Sequence, residues 1–304
     1  MKNQNVQISK VCGLCAGCQF AVNTAISALK KNKNVTLFKE IVHNKNVNEL
    51  LKQKGINIES NLQNLTKNSL VVLRAHGEPM QTYEHLKNNG IEFVDCTCVN
   101  VKKIHDLVHE KSTDNIVVII GKYGKKNGVM HPEIAGTVGW CKTKPILIED
   151  EDDLNQLKTL KNQNFYLVCQ TTFNIEKADN LISQIQQICI SNNCKIEVNK
   201  SICMAQKQIN VFSTELAKNC DIMFVVGGKN SSNTTELFNN VKNFTNAFFI
   251  ENINDWKNVL ASNNITLTKN LKIGWTAGAS TMREDLADLK KQIETELEEN
   301  LWTV

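Results

Sequence analysis

Three cysteines stand where a strand-like run ends and helical spacing begins. Cys98 closes Val94-Asp95-Cys96-Thr97-Cys98, and Val101, Ile104 and Val108 follow at the spacing of one helix face. Cys15 precedes Ala21, Ala25 and Leu29, while Cys203 follows the apolar run 196–198 and precedes Ile209, Phe212 and Leu216. A thiol at a helix start meets unpaired backbone N–H groups and the positive end of the helix dipole, which favour the thiolate, the form that binds metal. If the three units face one point, three thiolates converge there.

Other reactive side chains also fall at strand ends. His43 lies in Glu40-Ile41-Val42-His43-Asn44, His76 in Arg74-Ala75-His76-Gly77-Glu78-Pro79, and His131 in His131-Pro132-Glu133. In open α/β sheets the carboxyl ends of strands are where ligands bind. Neutral His131 can donate to an anion, and Glu133 two residues on can move protons. Residues 165–168 form a strand running into Cys169-Gln170-Thr171-Thr172. Hydroxyls there are as often helix caps as catalysts. Thr172 or Asn174 is assigned the cap, which leaves Thr171 to face the site. The loops Gly227-Gly228-Lys229-Asn230-Ser231-Ser232-Asn233 and Thr276-Ala277-Gly278-Ala279-Ser280 open onto helices. Neutral hydroxyls and amides at helix N-termini suit phosphate. The plainer reading is two capped helices, Asn233 pairing with Glu236 and Thr281 with Glu284.

The elements that must position these groups follow from apolar patterning. Strands are predicted at 35–42, 69–73, 115–120, 165–168, 221–226 and 271–275. Helices are predicted through Val47, Leu50 and Leu51, through Ala178, Leu181, Ile185 and Ile188, and through Leu286, Leu289, Ile293 and Leu297. The 304 residues, 41% hydrophobic and 22% charged, allow two or three ordinary globular domains. A net charge of +4 without a basic block gives no case for nucleic acid. No apolar run approaches the ~20 residues that cross a bilayer, and residues 1–11 lack a signal-like core. A cytoplasmic protein with no membrane partner is expected, its eleven cysteines ligands or packing thiols rather than disulfides. Cys141, Cys169, Cys189, Cys194 and Cys220 read as packing thiols.

Cys12-Gly-Leu-Cys15-Ala-Gly-Cys18 begins like a ferredoxin run, but position 22 is Val where the next ligand would stand. A zinc ribbon would need a second CxxC. Neither a Walker motif nor a GxGxxG after a strand is present. Three thiolates can hold a cubane cluster with one iron left open, a Lewis acid and an electron source at once.

Taken in order, Gly13-Leu14-Cys15-Ala16-Gly17, Ile41-Val42-His43-Asn44, Ala75-His76-Gly77, Asp95-Cys96-Thr97-Cys98, His131-Pro132-Glu133, Gln170-Thr171-Thr172, Ile202-Cys203, Lys229 to Asn233 and Thr276 to Ser280 resemble the 4-hydroxy-3-methylbut-2-enyl diphosphate reductase (LytB) family nearly end to end. The resemblance implies three α/β domains with parallel-type sheets in a pseudo-threefold cloverleaf around a central iron–sulfur cluster. These would be residues 14–97 with Cys15, His43 and His76; residues 98–200 with Cys98, His131, Glu133 and Thr171; and residues 201–304 with 1–13, carrying Cys203, Ser231 to Asn233 and Ser280. It implies Cys15, Cys98 and Cys203 as the three ligands of a [4Fe-4S] cluster with one open iron. His43, His76, His131, Ser231, Ser232, Asn233 and Ser280 would hold the diphosphate, with Glu133 and Thr171 at the substrate's hydroxyl end. The implied reaction is reductive dehydroxylation to isopentenyl and dimethylallyl diphosphate, the last step of the non-mevalonate isoprenoid pathway. With no second redox centre evident, electrons would come from a ferredoxin or flavodoxin.

The chain departs from the family pattern at Val99, Met130, Phe20, Thr281-Met282, Cys12 and Cys18, none of them a named ligand or polar group. Two rival readings stand beside the reductase. One is a zinc-binding structural or regulatory protein, and the other is the same fold acting on a different phosphorylated small molecule.

Overall fold

The protein is seen in a computed structural model that describes residues 5–31, 34–41, 45–125, 127–228, 231–268, 270–278 and 283–298. Short apolar runs whose alternate residues are both hydrophobic need a sheet covered on two faces, which parallel βαβ units supply. The strands are β1 Val6–Ile8, β2 Val35–Phe38, β3 Asn57–Glu59, β4 Leu70–Leu73, β5 Phe93–Asp95, β6 Ile116–Ile120, β7 Ile146–Ile148, β8 Asn164–Cys169, β9 Lys195–Asn199, β10 Ile222–Val226, β11 Asn246–Ile250 and β12 Ile273–Ala277. They form three four-stranded parallel sheets, ordered β3-β2-β4-β5, β7-β6-β8-β9 and β11-β10-β12-β1. The α/β class with parallel sheets is as the sequence predicts.

All three sheets repeat one order. The second strand lies outside the first, the third on the first's other side and the fourth at the far edge; β1, from the N-terminus, is the fourth strand of the last sheet. The helices are α1 Ala16–Lys30, α2 Lys45–Gln53, α3 Met80–Asn88, α4 Val99–Lys111, α5 Pro132–Trp140, α6 Asn155–Lys158, α7 Ile175–Ser191, α8 Met204–Ala217, α9 Ser232–Val241, α10 Trp256–Ser262 and α11 Arg283–Glu298. The chain divides into two compact units, one of Met1–Gln19, Glu40–Gly55 and Met204–Val304, the other of Phe20–Lys39 and Ile56–Cys203. The β1-containing sheet belongs to the first and the other two sheets to the second.

Packing follows the period of two. In β6, Val117 and Ile119 meet Ile104 and Val108 of α4 and Ile134 of α5, whereas Val118 and Ile120 meet Ala178, Leu181 and Ile185 of α7. Each such buried side chain contributes ~1.5–3 kcal/mol by leaving water. In the β1 sheet Phe224 stacks on Trp275 at 4.4 Å over a core closed by Trp256. Some details differ from the patterning. Strand β2 stops at Phe38 because Lys39 turns to a φ of 67°. The buried stripe of α1 is Ala21, Val22, Ala25 and Ala28 rather than one reaching Leu29. In α8 Ser213 and Ala217 are buried with Ile209, leaving Phe212 and Leu216 half-buried.

Candidate active site

The loop after β6 ends at His131, which caps α5. Its Nδ1 accepts from the Glu133 backbone N–H at 3.2 Å, so a neutral ring carries its proton on Nε2 and can donate there. One residue past the proline, Glu133 is 2% exposed. Its Oε1 accepts from the Thr171 N–H at 2.5 Å and its Oε2 from the Thr171 hydroxyl at 2.7 Å. Burial pushes this carboxyl up to about 7, against the lowering effect of the two bonds from Thr171. Bonds to a charged group are worth ~1.5–3 kcal/mol each, yet desolvation prevails. The result is an acid that can give or take a proton near neutrality. The structure thus brings Glu133 and Thr171 together.

The loop after β4 is a tight turn, with the Gly77 N–H on the Arg74 carbonyl at 3.1 Å and Gly77 at φ +75°. It holds His76 so that its ring meets the His131 ring edge-on at 5.8 Å. Cys98, the N-cap of α4, is tied to the same loop by its N–H on the Ala75 carbonyl at 3.0 Å. Cys203 is tied equivalently, its N–H on the Thr171 carbonyl at 2.7 Å. Parallel pairing therefore continues two residues past β4 and β8 and fixes each thiol beside a site loop. In the other unit the Gly13 N–H reaches the Ala277 carbonyl at 3.0 Å, two residues before Cys15.

Thiol chemistry separates two groups. Hydrogen bonding from the Cys18 side chain, with backbone N–H groups of the first turn, draws Cys15 down to about 6 against its burial. The Cys203 sulfur accepts from Asn100 Nδ2 at 3.5 Å. Burial instead pushes Cys96, Cys189 and Cys220 up to about 11 and Cys141 and Cys169 to about 12, so these remain neutral packing thiols. Cys12 is buried and donates to the Ser9 carbonyl at 3.4 Å. Among the described residues no three His, Cys, Asp or Glu side chains gather closely enough to hold a single metal ion. The donor set of Cys15, Cys98 and Cys203, three half-buried thiols at three helix starts, fits an iron–sulfur group in its chemistry.

After β10, Ser231 caps α9, its Oγ accepting from the Thr234 N–H at 3.3 Å. This replaces the expected Asn233–Glu236 cap. Ser232 and Asn233 are the first two residues of α9. His43, Lys229, Asn230, Ser280 and Thr281-Met282 lie outside the described residues. Asn174, not Thr172, caps α7, with its side chain on the Lys177 N–H at 2.9 Å. Of the departures from pattern, Val99 and Phe20 are exposed at 79% and 57%, and Met130 is half-buried against the core cluster of Val117 and Ile119.

Two buried polar side chains were given no role in the sequence reading. Gln170 accepts from the Lys122 N–H at 2.9 Å and donates to the Thr172 hydroxyl at 2.8 Å, joining the loops after β6 and β8. His105 is buried in α4, two turns from Cys98, with its ring stacked on Trp140. Its helical spacing with Val101 and Val108 was the available signal, a polar residue on the apolar face.

Comparison with known proteins bears on this geometry. The family model described as LytB protein matches residues 6–294. The 4-hydroxy-3-methylbut-2-enyl diphosphate reductase of Clostridioides difficile (strain 630) is 31% identical over 279 residues, 91% of this chain and 94% of that protein. The enzyme of that name from Helicobacter pylori (strain Shi470) is 31% identical over 293 residues, covering 95% and 99%. A solved structure of (E)-4-hydroxy-3-methyl-but-2-enyl diphosphate reductase, the terminal enzyme of the non-mevalonate pathway, superposes with a TM-score of 0.74 at 28% identity, covering 95% and 99%. The Plasmodium falciparum reductase shares the fold, with a TM-score of 0.76 at 23% identity over 95% and 88%. Among the described residues no helix is long and apolar enough to cross a membrane.

Proposed function

Because the chain belongs to the LytB protein family, we propose that it is a 4-hydroxy-3-methylbut-2-enyl diphosphate reductase, and that Glu133 supplies the proton with which the substrate's hydroxyl leaves. The observation that carries the mechanistic part is the buried Glu133 carboxyl, raised to about 7 and held by Thr171 beside His131. In the reaction the allylic C–O bond breaks, two electrons and two protons are taken up, and water is released with either isopentenyl or dimethylallyl diphosphate.

In the protonated acid Glu133 donates to the Thr171 hydroxyl, the reverse of the bond made by the carboxylate, and the first proton passes through that hydroxyl to the departing oxygen. The second goes to carbon at either end of the allyl unit. His43, His76, His131, Ser231, Ser232, Asn233 and Ser280 hold the diphosphate by neutral donors, which orient the chain without adding fixed charge. Cys15, Cys98 and Cys203 would hold the [4Fe-4S] cluster, which when bound would supply one-electron transfer and Lewis acidity. The domains of this reading are residues 14–97, 98–200 and 201–304 with 1–13, one for each sheet. The repeated strand order of the three sheets supports this reading. Electrons come singly from a ferredoxin or flavodoxin in the cytoplasm.

The test is activity of anaerobically purified protein with the hydroxylated butenyl diphosphate and a low-potential donor. Both isomeric diphosphates are expected, from protein containing iron and sulfide. Brown iron-containing protein without turnover would favour another phosphorylated substrate, and colourless zinc-containing protein would remove the redox reading.

A further inference from the structure

Three elements that carry proposed site residues meet at a side chain so far given no role. His105, in α4, is 1% exposed, and its Nε2 is buried without a hydrogen-bond partner. One face of the ring stacks on Trp140 at 5.3 Å with 20° between planes. Trp140, the last residue of α5, donates from Nε1 to the Glu78 carbonyl at 3.0 Å, in the loop that carries His76. The edge of the His105 ring meets backbone on two sides. A Cβ at Gly77 would stand 2.5 Å from its Cε1, and a Cβ at Gly136 would stand 3.2 Å from its Nε2. Gly77 follows His76, and Gly136 lies one turn after Glu133. The same Gly136 Cβ would be 3.3 Å from the Gly77 carbonyl group, so the loop and α5 already touch.

We propose that His105 is a positioning residue, a flat uncharged plate that sets the separation between the His76 loop and the start of α5, and so the pairing of His76 with His131. Burial lowers the ring's pKa to about 4, so the plate carries no charge. Its unpartnered nitrogen makes shape, rather than hydrogen bonding, the property that matters. Two glycines permit the close approach, and a smaller side chain at 105 would leave both segments without a common wall. Displacements of about 1 Å in such supports reach ~10²-fold in function.

The proposal rests on the assignment of His76 and His131 to the anion, and the experiment separates the two. Protein with isotope-labelled histidines is examined by NMR for the His76–His131 ring contact, and pyrophosphate affinity is measured by calorimetry, in wild type, His105→Ala and His105→Phe. Expected are loss of the ring contact and ~10–100-fold weaker pyrophosphate binding in His105→Ala, with iron content unchanged, and retention of both within about threefold in His105→Phe. If wild type binds no pyrophosphate while its ring contact still depends on residue 105, the anion assignment fails and the positioning role stands. Retention of contact and affinity in His105→Ala overturns the proposal. So does equal loss in His105→Phe, which would move the role to the ring nitrogen. Should His105→Ala not fold, Gly136→Ala presses on the same joint from α5. Weakened contact at an unchanged melting temperature is then expected, and an unaltered contact overturns the proposal.

Discussion

The β6–β9 sheet and the β10–β12 sheet share a strand order but distribute chemistry differently. After the first strand of each, a capping side chain uses one lone pair on a helix amide, His131 Nδ1 at 3.2 Å and Ser231 Oγ at 3.3 Å. Each side chain also carries a donor, an imidazole N–H or a hydroxyl. Around the third strand the two part. Past β8, Thr171 is held by the buried Glu133 carboxyl, whereas within β12 the buried Thr276 hydroxyl pairs at 2.6 Å with Ser213. One repeat therefore carries a buried titrating acid where the other, among the described residues, carries a buried pair of neutral hydroxyls. Under the proposed function, proton transfer falls to the first sheet alone, because it holds the buried Glu133, while both sheets offer neutral caps to the anion.

The sharpest way to break the comparison is to remove what the repeats share. Cys15→Ser, Cys98→Ser and Cys203→Ser should each lose most of the bound iron, measured per chain after anaerobic purification, while Cys12→Ser keeps it. Next comes what they do not share. Glu133→Gln keeps size and the bonds to Thr171 but has no acid proton, and turnover should fall ~10²–10⁴-fold with substrate still bound.

The same carboxyl sets a pH dependence of stability. Its folded value of about 7 lies above the ordinary 4.5. The folded state therefore holds the proton longer; the contribution is fully present below about 4.5 and is lost as pH rises to about 7. Its size is on the order of 3 kcal/mol. Denaturant unfolding between pH 4.5 and 7 should show the slope in wild type and not in Glu133→Gln.

On the neutral side of the comparison, Ser231→Ala should weaken pyrophosphate binding by ~10–100-fold, from a loss of ~1.5–3 kcal/mol, with the iron content intact. The smallest effect is at Cys18. Without its hydrogen bond, Cys18→Ala should raise the Cys15 thiol from about 6, read as slower alkylation at pH 7 in metal-free protein.

The central strands were legible because burial on both faces writes an unbroken apolar run, as in β4, β6, β10 and β12. The strands that escaped notice, β1, β3, β7 and β11, are all sheet edges with partly exposed faces. Edge strands β5 and β9 were found only because cysteines follow them. The pairing of Glu133 with Thr171 was expected only through the family resemblance, since nothing in the spacing of residues 133 and 171 requires it. That Ser231 rather than Asn233 caps α9 was not expected, since neighbouring Ser and Asn residues compete for a cap and only backbone geometry chooses. The spacing of His105 with Val101 and Val108 marked it as a polar residue on an apolar face, but its place between two glycines distant in sequence has no local pattern.

The most direct test of Glu133 as the proton source is the pH dependence of kcat for wild type and Glu133→Gln with saturating electron donor. Wild type should lose about tenfold per pH unit above about 7, and the variant should be slow and without that limb. A wild-type kcat that stays level to pH 9, or a Glu133→Gln variant with near-normal turnover, would contradict it.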